Sequence, residues 1–393
     1  MSAERPYLSV IVPAFQGSGI LRDSLGALLE SDLPRAAWEL VVVDDGSTDE
    51  TSWVAAEYAD TIVRLAGKPH GPAYARNRGS EVSRGEVLVF IDADVRVHRD
   101  TLRRFTELFS GDPSLAAAFG SYDDRPPGAG LVSQFRNLMH HYVHHRNAGE
   151  AETFWAGCGA VRTDVFRAVG MFDEWHYTRP QIEDIELGRR LRVHGHRIRL
   201  APEIQGSHLK RWTLWNGLMT DLHHRGVPWM WLILEEGPNA GSRTLNVRTR
   251  EKICTALAGL TLAAAAAALA LRSFLPLLVA TAATLTVIAL NSSFYAFLRR
   301  HRGWLFTVAA VPLHLMYFVV NGFSVIFGGL MQALFGEPLP SDEAAAQAEL
   351  GIETWPPGPR RPARSMYRAV QPAGSRARDA TDEEGSSRPL LRR

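Results

Sequence analysis

Cysteine is nearly absent: the 393 residues contain two, Cys158 in a polar setting and Cys254 in a strongly apolar one. Two thiols in such different surroundings exclude a disulfide framework or a cysteine-built zinc site, and they fit a reducing compartment. Excess charge is also missing. The formal net charge is +1, so no global basic field points to nucleic acid, and no nucleic-acid partner is expected. The first residues, Met1-Ser2-Ala3-Glu4-Arg5-Pro6, lack the charged-then-apolar pattern of a signal peptide. They run straight into an apolar segment, which predicts a soluble part made and kept in the cytoplasm.

What the chain does have, first, is a regular alternation. Leu8 to Val12, Leu40 to Val43, Thr61 to Leu65 and Val87 to Ile91 are short apolar, β-branched runs. Between them lie helix-like stretches at Gly19 to Glu30, Asp49 to Tyr58 and Pro72 to Ser83. Continuous apolar strands separated by helices predict an α/β domain with a mostly parallel sheet covered on both faces. Such sheets bind ligands at the carboxyl ends of their strands. Asp44, Asp45, Asp92 and Asp94 all sit at such ends.

Beyond about residue 206 the character changes. Trp212, Trp215, Met219, Trp229, Met230 and Trp231 alternate with Lys210, Arg211, His223, His224 and Arg225, a mixture suited to a membrane–water interface over 207–250. Residues 251–336 hold three apolar stretches: Ile253 to Leu271, Ser273 to Leu298 and Trp304 to Phe335. Each is long enough for about 30 Å of hydrocarbon. The third is too long for one straight span and must tilt, break near Asn321-Gly322, or partly lie in the interface. Arg248, Arg250 and Lys252 precede the first stretch, and Arg299, Arg300 and Arg302 separate the second from the third. The positive-inside rule then puts residues 1–206 on the cytoplasmic face of a multi-pass cell-membrane protein. Residues 337–393, rich in Pro, Ala, Arg, Asp and Glu, are expected to be a disordered tail.

The strand-like run Phe90-Ile91-Asp92-Ala93-Asp94 ends in two carboxylates that share one face if the chain stays extended. Two such groups repel unless a cation lies between them, and a hard divalent ion carrying a phosphate is the natural guest. The plain alternative is a solvated turn. In Asp44-Asp45-Gly46-Ser47-Thr48-Asp49-Glu50, Ser47 and Glu50 fit a capping box for the next helix. That leaves the adjacent Asp44 and Asp45 unexplained; a carboxylate there can accept hydrogen bonds from a base or a ribose. Arg76 and Arg78 stand in the early turns of a helix, where the dipole disfavours cations. An anionic partner such as a nucleoside diphosphate would compensate.

Ser9-Val10-Ile11-Val12-Pro13-Ala14-Phe15, Val43 to Asp49, Ala75-Arg76-Asn77-Arg78-Gly79 and Asp92-Ala93-Asp94 stand in the order and spacing of family 2 glycosyltransferases, which the chain resembles. The likeness continues through Trp155 to Arg162, Val169 to Glu174 and Ile182 to Leu187, covering roughly the first 215 residues. It implies a GT-A fold, catalytic over 1–206, and inverting transfer from a nucleotide-diphosphate sugar. By position, Pro13, Ala14 and Phe15 would line the base pocket and Asp45, with Asp44 beside it, would read the base. Asp92 would approach ribose and metal, Asp94 would ligate a Mn²⁺ or Mg²⁺ ion, and Arg76 would serve the nucleotide sugar. Gln16-Gly17 and His70 depart from common family residues, which leaves the nucleotide and sugar open.

Inversion needs a base opposite the leaving group. The family match assigns it to Asp184, with Glu183 as fallback, because neighbouring helical residues point about 100° apart. The acids at 183, 184 and 186 followed by Arg189, Arg190 and Arg192 are also what dipole compensation produces. His208-Leu209-Lys210-Arg211-Trp212 resembles the Gln-x-x-Arg-Trp motif of cellulose- and hyaluronan-type synthases. That likeness implies a place for His208, Arg211 and Trp212 near acceptor and diphosphate. His140-His141 and His144-His145 share helical faces but lack a completing carboxylate, so a polar helix near the cleft is the expectation. The sequence thus predicts a metal-dependent transferase acting on a lipid-linked or glycan acceptor among membrane lipids. The alternatives are a processive polysaccharide synthase and a catalytically silent scaffold.

Overall fold

The computed structural model describes residues 5–236 and 248–336. The expected alternation is present as β1 (Leu8–Ala14), α1 (Ser18–Leu29), β2 (Trp38–Asp44), α2 (Thr51–Ala56), β3 (Thr61–Arg64), α3 (Pro72–Val82) and β4 (Val87–Ile91). These strands pair in parallel in the order β3-β2-β1-β4. β4 is buried at every position because its two faces feed two cores. Val87, Val89 and Ile91 pack with Leu21, Leu25 and Leu28 of α1, whereas Leu88 and Phe90 pack on the α3 side. Gly79 lets α3 lie directly on the sheet, since a Cβ there would come within 2.6 Å of Ile11. A long apolar run is therefore the signature of a strand covered twice.

After β4 the sheet becomes mixed. The chain continues through β5 (Val95–Val97), α4 (Thr101–Gly111), β6 (Leu115–Tyr122), α5 (Leu131–Arg146) and β7 (Gly149–Ala151). It then forms β8 (Cys158–Arg162), α6 (Thr163–Ala168), α7 (Glu183–Val193) and β9 (Arg197–His208). β8 runs antiparallel to both β4 and β6, and the full order is β3-β2-β1-β4-β8-β6-β9-β5 with β7 on β9. β1 lies between β2 and β4, so the winding reverses there and opens a crevice at the carboxyl ends of β1 and β4.

The helical region comprises α8 (Leu214–Met219), a π-helical turn at Thr220–Gly226, α9 (Val227–Glu236), α10 (Thr249–Leu271), α11 (Leu275–Leu290) and α12 (Ser292–Phe335). α10 and α12 are long and apolar enough to cross a membrane; α11, with 16 residues, is shorter. Many of their large side chains are not covered by protein: Leu269 is 83% exposed, Ile326 69% and Phe335 74%. Two boundaries differ from the sequence reading. The second apolar stretch is divided at Asn291, whose buried amide donates to Val287 O at 2.8 Å and ends α11. The helix that holds the third stretch breaks just ahead of it, at Gly303 (φ 80°), where glycine adopts that backbone without a Cβ clash, and Trp304 to Phe335 then runs as helix with no break at Asn321-Gly322. Ahead of the break, Tyr142 of α5 meets Ser293 (2.7 Å) and Arg302 donates to Gln134 (2.6 Å) and Asp124 O (2.8 Å). The tail expected at 337–393 and part of the interfacial segment, 237–247, lie outside the described residues.

Candidate active site

Three strand ends build one side of the crevice. Pro13 and Ala14 finish β1 and Phe15 follows it, 47% exposed. Asp45, next to β2, accepts the backbone N–H groups of His70 (2.9 Å) and Gly71 (2.7 Å). Gly71 has φ 99°, and a Cβ there would stand 2.5 Å from Thr178 O. Asp44 accepts from the Ser47 N–H at 3.0 Å and from the Ser52 hydroxyl. The capping box is not formed. α2 begins only at Thr51, and the Ser47 hydroxyl accepts instead from the Gln16 N–H (2.9 Å). Asp49 takes over the local turn, accepting from the N–H groups of Thr51 (3.0 Å) and Ser18 (3.2 Å).

β4 stops at Ile91, and Asp92 to Asp94 form a turn closed by Val95 N–H to Asp92 O at 2.9 Å. The turn, rather than alternation along an extended strand, gathers the two carboxylates. Burial raises the Asp92 pKa and the Asp94 charge adds to it, while Arg76 opposes both. Asp94 is also pushed up by burial, but His208, 3.4 Å away, together with Lys210, outweighs this and holds it below the usual range.

Arg76 is 4% exposed and forks between Asp92 (2.7 Å) and Glu183 (2.9 Å). Arg78 pairs with Glu174 and Glu81, both at 3.1 Å. The anions that offset these arginines in this structure are thus internal, as burial of a guanidinium requires. At the start of α7 the two acids divide. Glu183 is spent on Arg76 and on the Gln181 N–H (2.9 Å), whereas half-buried Asp184 accepts from the Ala156 N–H at 3.1 Å. Burial, reinforced by the Glu183 charge and opposed by Arg76 and Arg225, pushes Asp184 up to about 7. A carboxyl titrating near neutrality is matched to proton transfer.

The far wall is aromatic. The His208 ring lies flat on Tyr122, centroids 4.3 Å apart and 8° between planes. Tyr122 also meets Trp155 edge-on (4.8 Å) and His140 (4.3 Å). Trp155 sits in a motif already noted, but Tyr122 ends an alanine-rich strand with nothing in its neighbourhood to single it out. His141 and His144 turn their Nδ1 atoms to Tyr122 O (2.8 Å) and Gly120 O (2.9 Å), so the histidine quartet ties α5 to β6. The Trp212 backbone N–H donates to the Ser133 hydroxyl (2.7 Å), and its ring lies under Arg136 (4.2 Å) and Lys210 (4.4 Å). Arg211 is exposed. No group of three or more His, Cys, Asp or Glu among the described residues forms a protein-only metal cage. Asp92 and Asp94 nevertheless offer the hard oxygen pair that suits Mg²⁺ or Mn²⁺, ions that complete their shell with water and substrate phosphate.

The family model "Glycosyl transferase family 2" matches residues 9–170, the segment that carries these strand ends. The chain carries a family 2 glycosyltransferase domain. Among its relatives, glycosyltransferase AglE of Haloferax volcanii is 26% identical over 220 residues, 54% of this glycosyltransferase and 69% of AglE. The putative teichuronic acid biosynthesis glycosyltransferase TuaG of Bacillus subtilis is 30% identical over 148 residues, 37% of this chain and 55% of TuaG. The poly(ribitol-phosphate) beta-N-acetylglucosaminyltransferase TarS of Staphylococcus aureus is 32% identical over 99 residues, 24% of this chain but 17% of TarS. Among solved structures, the mannosyltransferase PcManGT of Pyrobaculum calidifontis superposes with TM-score 0.46 at 19% identity, covering 85% of this glycosyltransferase and 88% of PcManGT.

Proposed function

We propose that this glycosyltransferase moves a sugar, with inversion, from a nucleotide-diphosphate sugar to a hydroxyl of a membrane-associated, lipid-linked or glycan acceptor at the cytoplasmic face. The observation that carries the reading is one edge of the sheet on which Asp92 and Asp94 stand across Arg76 from Glu183 and Asp184. Pro13, Ala14 and Phe15 line the base pocket, and Asp45, supported by Asp44, reads the base. Asp92 and Asp94 are the residues that would hold Mn²⁺ or Mg²⁺. Such an ion supplies charge neutralisation for the departing diphosphate. Asp184 takes the proton of the acceptor hydroxyl. Glu183, committed to Arg76, fixes the start of α7 and keeps Asp184 turned into the crevice. His208, Arg211 and Trp212 flank acceptor and diphosphate, and the Tyr122–His208 stack gives a sugar ring an apolar face to lie on. α10 and α12, with uncovered apolar surface, hold the catalytic domain (1–206) at the bilayer.

The test is a panel of nucleotide-sugars incubated with purified full-length protein, Mn²⁺ or Mg²⁺, and membrane lipid extract. Asp184→Asn is expected to lower kcat by about 10²- to 10⁴-fold with donor binding retained. Asp94→Ala is expected to abolish the metal-dependent part of turnover. Undiminished turnover in both variants would sink the mechanism, and donor binding without any turnover in the unmodified protein would favour a silent scaffold.

A further inference from the structure

Cations without carboxylate partners gather where the crevice meets the helical region. Arg179, Lys210, Arg211 and Arg225 are exposed, and none has a carboxylate within ion-pair distance among the described residues. They come from three elements: the loop before α7, the segment after β9, and the π-helical turn. All three elements are fixed in place. Lys210 rests on the Trp212 ring at 4.4 Å, and Arg136 stacks on that same ring and grips Asp221 of the π-turn through two hydrogen bonds of 2.6 and 2.8 Å. At the other end of that turn, Gly226 is pressed against Ser324 of α12, where a Cβ would come within 2.1 Å of the hydroxyl. The Arg179 backbone abuts Gly71. Their fields overlap. The charges of Arg179, Lys210 and Arg225 all reach His224, Lys210 also reaches Asp94, and Arg225 also reaches Asp184. The collar therefore stands between the metal-binding end and the base.

Beside the collar runs an apolar groove between α5, α8 and α12, lined by Met139, Leu214, Leu218, Leu313, Met316 and Val320. Asp221 is part of its lining, so the groove and the collar share the π-turn. A π-helical insertion re-aims side chains at functional sites. Here it sends Asp221 into the groove wall while Arg225 faces the crevice.

We infer that the acceptor is a lipid carrying its sugar through a phosphate: the collar of Arg179, Lys210 and Arg225 holds the phosphate, the groove takes the start of the lipid chain, and the sugar hydroxyl lies at Asp184. This rests on the transferase reading above and narrows its acceptor. Charge complementarity chooses a phosphate over a neutral lipid, because three converging cations with no ion-paired acid attract an anion and an ordinary hydroxyl does nothing to neutralise them. Continuity of the groove with an uncovered apolar helix chooses a lipid over a soluble polymer.

The test measures calorimetric binding of three probes to the full-length protein in neutral detergent: decyl phosphate, decanol and inorganic phosphate. Decyl phosphate is expected to bind at least about tenfold more tightly than either other probe, as joint capture of head and chain requires. Arg179→Gln with Arg225→Gln should weaken decyl phosphate about tenfold or more and leave nucleoside diphosphate binding in Mn²⁺ unchanged. Met139→Trp, which fills the groove, should weaken decyl phosphate but not inorganic phosphate. Equal binding of decyl phosphate and inorganic phosphate would overturn the lipid, leaving a soluble phosphorylated acceptor. Loss of nucleotide binding in the arginine variants would assign the collar to the donor and overturn the inference. Failure of the transferase reading is separate and visible, since it would appear in the unmodified protein as absent nucleotide binding or as nucleotide binding without sugar transfer.

Discussion

Arg76 is the group whose removal tests the site most directly. Its guanidinium is buried, holds Asp92 at 2.7 Å and Glu183 at 2.9 Å, and partly offsets the burial that raises Asp184. Arg76→Met leaves Glu183 enclosed without a counter-charge. Asp92 is one-third exposed and loses less, so the expected destabilisation of about 3–5 kcal/mol falls mainly on Glu183. The functional consequence is a shift in the acid limb of the rate profile. In the proposed mechanism Asp184 is the base and works only when ionised, so kcat/KM should fall below its pKa of about 7. Removing a nearby positive charge disfavours the ionised form, and the limb moves to higher pH. In surroundings of effective dielectric about 20 a neighbouring charge contributes on the order of 2 kcal/mol, which corresponds to about one to one and a half pKa units. The assay is kcat/KM for the donor from about pH 5.5 to 9, run beside thermal melting. Arg76→Lys keeps the charge and should leave the limb near its original place even if it melts earlier. A folded Arg76→Met protein whose acid limb has not moved would refute the coupling.

Three further outcomes are expected. Gly71→Ala combines a positive φ with a Cβ 2.5 Å from Thr178 O; melting should fall by about 1–3 kcal/mol of stability, and donor KM should rise as the Asp45 contacts are displaced. Membranes containing the protein should retain it through about 1 M salt, which screens surface charge, and release it in detergent; release by salt alone would contradict a spanning role for α10 and α12. Product analysis should give single additions rather than a ladder, whereas long chains would favour a processive synthase.

The first half of the sheet was legible because each strand there is covered on both faces and must be apolar throughout. β6 (Leu115–Tyr122) was not, since its Ala117-Ala118 and Gly120 carry little hydrophobic or β-branched signal and its identity comes from pairing with β8 and β9. Asp92, Asp94, Glu183 and Asp184 could be singled out by motif, but their partners could not. Arg76 meets Glu183 across 107 positions of chain, a contact that no local pattern encodes. The capping box failed for a local reason: Ser47 and Glu50 have the right spacing, but Asp49 competes for the same turn and Gly46 (φ 74°) redirects the chain. Tyr122 escaped notice, and Arg225 was read only as an interfacial cation, because their importance lies in what they face, not in what flanks them.

α5 has two clients. Through His141 and His144 it is fastened to β6 behind the crevice, and through Phe135, Leu138 and Tyr142 it receives Phe294, Tyr295 and Leu298 from the start of α12. A piece cut at residue 206 would strip that second face and leave an oily stripe on the very helix that backs the active site. The smallest portable form of this enzyme therefore includes the first turns of α12, and the apolar helix that follows the catalytic domain doubles as a buttress for its chemistry.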